Sequence, residues 1–274
     1  MVAGRAEVEF DCRDGHTRLA GLDQSDPLRI LFPQVAADEP MTGALVTTSG
    51  GLVGGDHLTI GVRGGAQTAS RIVGQAAEKI YRTAAQDVTI EVTLDASEGA
   101  WLEWLPQETI LFEDSRMRRR TRAEVGPGAR MMAGEAIVFG RTAMGERMSR
   151  GLVRDAWEIF RDGQLVWADA LHLDGDIKAQ LDSPAGFDGA HAFASLVYVA
   201  DDASERLAVA RELLDAIGLS AATLAAATCV GDVLIARWIG REGRILRDAY
   251  GAFWASFRNR IAGYPEQLPR LWHM

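Results

Sequence analysis

Residues 47–82 read TTSGGLVGGDHLTIGVRGGAQTASRIVGQAAEKIYR, and how this stretch is divided decides the fold. Gly50, Gly51, Gly54, Gly55 and Asp56 form a tight polar knot. Directly after it, Leu58, Ile60 and Val62 alternate with Thr59 and Gly61, the two-residue period of a strand. Glycine-rich loops that cradle phosphate aim their N–H groups from a helix N-terminus. No Gly-Lys-Ser/Thr ending, GxGxxG spacing or helix follows here. The knot is therefore read as glycines at positive φ in a sharp β connection rather than as a nucleotide loop.

Outward from the knot, the same alternation recurs. Ala6, Val8, Phe10 and Cys12 oppose Arg5, Glu7, Glu9, Asp11 and Arg13, which predicts a half-buried strand with one charged face. Val88, Ile90, Val92 and Leu94 predict another. Residues 14–43 are mixed, with Pro27, Pro33 and Pro40 marking turns or edges. Gly126-Pro127-Gly128 is a turn, and Asp162-Gly163 between two apolar runs is a strong hairpin signal.

Two segments follow a helical period instead. Residues 202–217 place Leu207, Ala210, Leu214 and Ile217 on one face, with Asp202 as N-cap, Glu205 at N3 and Gly218 at C′. Residues 246–262 do the same with Leu246, Tyr250, Phe253, Phe257 and Ile261, closed by Gly263. Strands at 223–230 and 233–239 lie between them. The expected organisation is mainly β, with a β-stranded body over residues 1–200. A helix–hairpin–helix segment over 201–274 packs on it as part of one structural unit.

With 274 residues, 47% of them hydrophobic, the chain can bury a large core. A net charge of −9 argues against nucleic acid as a main partner. Lys79 and Lys178 are the only lysines, so nearly all basic charge is arginine. Cys12 and Cys229 make no disulfide framework. The absence of a ~20-residue apolar run and of a signal-peptide layout leads to the expectation of a cytoplasmic protein away from membranes.

Local motifs supply no catalytic set. The histidines 16, 57, 172, 191 and 273 show no i,i+2 or i,i+4 pairing, and there is no CxxC, HExxH or GxSxG. Glu103 and Glu108 suggest one enzymatic alternative, a β-scaffold hydrolase with this pair as acid and base. Arg116, Arg118, Arg120 and Arg122 share one face if their segment is a strand. Such a stripe needs solvent, as on an edge strand, acidic neighbours on an adjoining strand of the same chain, or an acidic partner such as urease. Near the C-terminus, Trp254 falls about 100° from Phe253 around the helix and is expected to point outward. Leu271 and Trp272 follow in a Pro-broken tail, as partner anchors or as intramolecular packing.

Read together, SGGLVGGDHL (49–58), GQAAEKIYR (74–82), WLEWLPQETILFEDSRMRRRT (101–121), FGRTAMGE (139–146) and EIFRDGQLVWAD (158–169) resemble the urease accessory protein D family, UreD or UreH. The later LLDAIG, ARWIG and LPRLW segments are similar too, so the resemblance spans nearly the whole chain. It implies a helicoidal, β-helix-like stack of strands with a small two-helix C-terminal appendage. The implied role is a non-enzymatic scaffold that binds urease apoprotein and docks UreF, which holds the GTPase UreG, with a possible homodimer within that complex. Nickel would be bound transiently and no cofactor tightly, the ion passing along an internal hydrated path. Of the residues matching family motifs, Gln75, Glu78, Tyr81, Glu103 and Gln107 are tunnel candidates. Asp56, Glu108, Glu146 and Asp169 are expected to act together as weak transit ligands on one polar route.

Overall fold

The computed structural model describes residues 1–83, 86–217 and 222–273. In chain order its strands are β1 (Ala3–Arg13), β2 (His16–Ser25), β3 (Leu28–Leu31), β4 (Met41–Thr47), β5 (His57–Gly64), β6 (Ala69–Gly74), β7 (Glu78–Ile80), β8 (Val88–Ala96) and β9 (Trp101–Leu105). They continue as β10 (Thr109–Leu111), β11 (Arg116–Val125), β12 (Arg130–Phe139), β13 (Arg150–Arg161), β14 (Gln164–Asp176), β15 (Ala192–Val199), β16 (Thr223–Val230) and β17 (Val233–Gly240). The helices are α1 (Ile177–Asp182), α2 (Ala203–Ala216) and α3 (Gly243–Ala262).

From β4 to β13 the long strands fall alternately in two sheets. Each lies parallel beside the strand one coil earlier: β1, β5, β8, β11 and β13 in the first sheet, and β4, β6, β9 and β12 in the second. Antiparallel hairpins finish the edges, β1 with β2, β13 with β14, and β3 with β4. Beyond β12 the second sheet continues antiparallel through β15, β17 and β16. The short strands β7 and β10 add a small parallel flap to the end of β12. The fold is a mainly β, solenoid-like stack with a small C-terminal helical region.

Alternation along each strand sorts the side chains. Leu58, Ile60 and Val62, with Val88, Ile90, Val92 and Leu94, turn into the space between the sheets, where Met131, Ala133 and Ile137 meet them. On the opposite face of the second sheet, Leu196, Tyr198 and Trp238 pack beneath Leu213 and Leu214 of α2 and Tyr250, Phe253 and Phe257 of α3. The Gly knot leads into β5 with Gly51 at φ 148° and Gly55 at φ 90°. A Cβ on Gly55 would lie 2.4 Å from Gln86 Oε1.

Several local expectations change. Residues 14–43 hold β2, β3 and the start of β4, and the short helix α1 adds to the two expected helices. Asp202 does not cap α2 with its side chain; its carboxylate accepts from the Tyr198 hydroxyl and Arg206 Nε, each at 2.7 Å. Gly218 lies outside the described residues. Trp254, expected outside, is fully buried, and Trp272 is 3% exposed. The helix face is wider than the five-residue stripe, because Trp254 has a buried carboxylate to reach. Trp272 fits over Gly251, where an added Cβ would sit 2.7 Å from its indole nitrogen. Leu271 is half-buried beside it.

The C-terminal aromatics therefore serve stability. Trp254→Ala is expected to cost about 3–5 kcal/mol, the usual range for emptying a buried Trp site. Removing residues 268–274 is expected to lower the melting temperature markedly. Unchanged thermal melts for both variants, followed by circular dichroism, would refute this assignment.

Candidate functional site

Between the sheets lies a cavity of ≈ 170 Å³, large enough to admit water. Its lining runs from Gly50, Ala76 and Lys79, which are exposed, to Arg119 and Glu135, which are buried. β11 turns Arg119 inward between Met117 and Thr121, and β12 turns Glu135 inward between Ala133 and Ile137. Arg119 makes a bidentate pair with Asp155 of β13, both bonds at 2.9 Å. Its Nη1 donates to Thr109 Oγ1 at 3.0 Å and lies 2.6 Å from Glu135 Oε2. Trp104 Nε1 donates to Glu135 Oε1 at 3.0 Å. One guanidinium thus faces two carboxylates. Burial, only partly offset by Arg119, pushes the Glu135 carboxyl up to about 7.

Nearer the surface, Glu78 lines the same cavity and accepts from Thr47 Oγ1 at 2.6 Å. Burial raises its carboxyl above the ordinary range despite that bond. Gln75 and Gln107 also line the cavity. Gln107 is shared with the chain's end: its Nε2 donates to the Leu271 carbonyl at 2.9 Å and its Oε1 accepts from Arg247 at 2.6 Å. Tyr81 stands beside the knot, donating to the Gly50 carbonyl at 2.7 Å.

None of Asp56, Glu108, Glu146 and Asp169 lines this cavity, which corrects the expectation of one route through the four. Asp56 is buried but saturated by backbone donors, the Val2 N–H at 2.7 Å and the Val53 N–H at 2.9 Å, so it shapes the knot. Glu108 pairs with Arg247 at 3.1 Å and lines a different pocket. Glu146 is bound by Arg141 on a surface turn, and these hydrogen bonds hold it below the usual carboxylate range. Asp169 is exposed on the edge strand β14 and pairs with Arg237.

Glu103 points to the helix side of the second sheet, one residue out of phase with Trp104. Its fully buried carboxylate accepts from Trp101 Nε1 at 2.8 Å, Trp254 Nε1 at 3.2 Å and Arg258 Nε at 3.1 Å. Arg258 and Arg71 both reach Glu39, at 2.7 and 2.9 Å. A carboxylate so occupied is a structural ion-pair centre, and it shares no cavity with Glu108, which removes the acid–base pair.

The arginine stripe does share an outer face, but β11 is an interior strand between β8 and β13. Asp87 takes Arg116 and Arg118, each at 2.6 Å, while Glu158 takes Arg120 at 2.7 Å and Glu124 lies 3.5 Å from Arg122. The stripe's repulsion is met by acids of this same chain. Sequence reading missed Arg119, Glu135, Asp155, Thr47 and Thr109. The available signal was phase: Arg119 alternates with Met117, Thr121 and Ala123 rather than with the other arginines.

Over residues 2–273 the chain matches the family described as UreD urease accessory protein. It is 43% identical over 272 residues to the urease accessory protein UreD of Magnetococcus marinus, covering 99% of this chain and 94% of that one. Similarity to the UreD of Azorhizobium caulinodans is 38% over 270 residues, covering 98% and 95%. To UreD 2 of Methylorubrum populi it is 39% over 259 residues, covering 94% and 84%.

The raised Glu135 carboxyl has a measurable consequence. The native protein holds a proton there that the unfolded chain releases from about pH 4.5. Its contribution to stability is present below that value and is lost as pH rises toward 7. Glu135→Gln, which cannot ionise, is expected to flatten this fall by on the order of 1–3 kcal/mol. Urea unfolding of parent and variant from pH 5 to 7 checks it, and parallel pH curves would count against it.

Proposed function

We infer function from the premise that the chain belongs to the UreD urease accessory protein family, to which residues 2–273 match. It is an accessory protein and not itself an enzyme. In this reading it is a cytoplasmic maturation scaffold that holds urease apoprotein while nickel is delivered. UreF docks on it, UreG is recruited through UreF, and two copies meet within the assembled complex.

The observation that carries the reading is the inter-sheet cavity, polar at both ends and walled by apolar strands. Among the described residues no group of three His, Cys, Asp or Glu is placed to hold a metal ion. Sites rich in imidazole and thiolate bind Ni²⁺ tightly and release it slowly, whereas isolated carboxylates and amides exchange it readily. Glu78 near the surface and the buried Glu135 supply such oxygens, and Gln75 and Gln107 complete the polar lining. A passing divalent cation displaces the proton on Glu135, whose carboxyl titrates close to neutrality. Arg119 keeps the inner end from becoming a trap, because its positive charge opposes a resident cation.

Two variants separate transit from folding. Gly50 lines the cavity, and a Cβ there meets only the Tyr81 hydroxyl at 3.7 Å. Gly50→Leu is expected to fill the passage without a backbone clash and to lower nickel per urease active site strongly. Glu78→Ala removes one weak ligand and is expected to lower it about fivefold, the ratio that ~1 kcal/mol sets. Nickel content is measured on purified urease with complex formation checked in parallel. Full loading by an assembling Gly50→Leu variant would exclude this cavity as the route.

A further inference from the structure

The flap formed by β7 and β10 against the end of β12 is a partition. Alternation sends Glu78 and Thr109 to the cavity side, whereas Ile110 and Val138 face a separate surface pocket of ≈ 400 Å³. Lys79 borders both spaces. Phe112 supplies an aromatic wall, with the Arg141 guanidinium 4.5 Å from its ring centre. Met144, carried on a 3₁₀ turn at Thr142–Met144, overhangs the pocket and is 78% exposed. A partly exposed apolar floor of Ile110, Phe112 and Val138 beside an exposed methionine makes a local hydrophobic feature on this surface.

The rim has the opposite charge to the molecule. Lys79, Arg141, Arg244 and Arg247 line the pocket with Glu108 as the one carboxylate among them, on a chain of net charge −9. Arg244 projects with 92% of its side chain exposed, and its nearest acid, Asp248, is 4.0 Å away. Lys79 makes no ion pair among the described residues. Glu108 is engaged by Arg247 and Arg141 is taken by Glu146, which leaves Lys79 and the loosely paired Arg244 as the donors free to meet a partner's acids.

We propose that this pocket is a docking site for an acidic segment of a partner protein, one that seats a single apolar side chain against Phe112, Val138 and Met144 while flanking carboxylates engage Lys79 and Arg244. Charge complementarity selects that occupant: the local cationic rim attracts an acidic segment, while the acidic remainder of the surface repels it elsewhere. The inference rests on the accessory role only in taking the occupant to be a protein. It is independent of whether an ion crosses the neighbouring cavity.

The test uses the full chain alone, without urease or nickel, so its failure and that of the transit reading are distinguishable. The probe is a fluorescent acetyl-Asp-Glu-Ser-Phe-Glu-Asp-amide peptide, read by anisotropy at low and high salt. Its counterpart carries Lys and Arg in place of the acids. The acidic peptide is expected to bind saturably and to weaken about tenfold in the double variant Lys79→Glu with Arg244→Glu, as well as in Met144→Asp. A charge-matched control, Arg18→Glu with Arg154→Glu on exposed strand positions elsewhere, is expected to retain binding. Circular dichroism melts confirm that each variant is folded. No saturation up to about 1 mM peptide, equal binding of the basic peptide, equal loss in the control pair, or tighter binding of an oligothymidylate would each overturn the proposal.

Discussion

A guanidinium shut between two apolar sheets governs the interior. Arg119 leaves water only because Asp155, from the same sheet, meets it with two oxygens, and because Thr109 and Glu135 close on it from the other. An unpaired charge in that place would cost several kcal/mol, so the two sheets have one favourable register at this level. Long polar side chains cannot interdigitate as tightly as Ile or Val, and a small hydrated space beside them follows. The opposite face of the second sheet repeats the device with Glu39, Arg71, Glu103 and Arg258. That sheet is thus held on both faces by ion networks that tolerate no sliding.

The β7–β10 flap lies where these constraints end. Its inward side chains belong to the cavity and its outward ones to the cationic pocket, so one layer of backbone separates the two. Gln107, at the start of the same segment, ties the cavity to the chain's C-terminal turn through Leu271. Cavity, surface pocket and terminal segment are joined through a few short strands.

Much of the architecture was legible from residue patterns. Period-two alternation placed β1, β5 and β8, Asp-Gly placed the β13–β14 turn with φ of 49° and 74°, and helical spacing placed α3. The family resemblance, carried by LEWLPQETILF and its neighbours, supplied the helicoidal winding that alternation alone does not encode. The polar interior was harder to read. Acids within recognisable motifs drew attention to Asp56, Glu146 and Asp169, whose partners are backbone amides or exposed arginines. Glu135 stands in a run that looks wholly apolar and Asp155 stands beside Arg154 in an ordinary strand pattern; the significance of both depends on Arg119, distant in sequence. Trp254 was misplaced for the same reason, since its burial answers to Glu103, 151 positions earlier.

The alternate winding of β4 through β13 also shapes how such a molecule comes into being. Every parallel neighbour in the stack is one full coil away, so hardly any of the ladder forms between adjacent strands except at the terminal hairpins. Loop closure must precede each reward, and topologies of this kind reach the native state slowly. On the ribosome, the first sheet can grow by accretion as each coil emerges, but α3 and its arginine arrive last. Until Arg258 seats, Glu103 has, among the described residues, only Arg71 as a cationic neighbour, at 3.9 Å. A chain in which α3 has not yet docked therefore carries an incomplete ion network on that face of the second sheet.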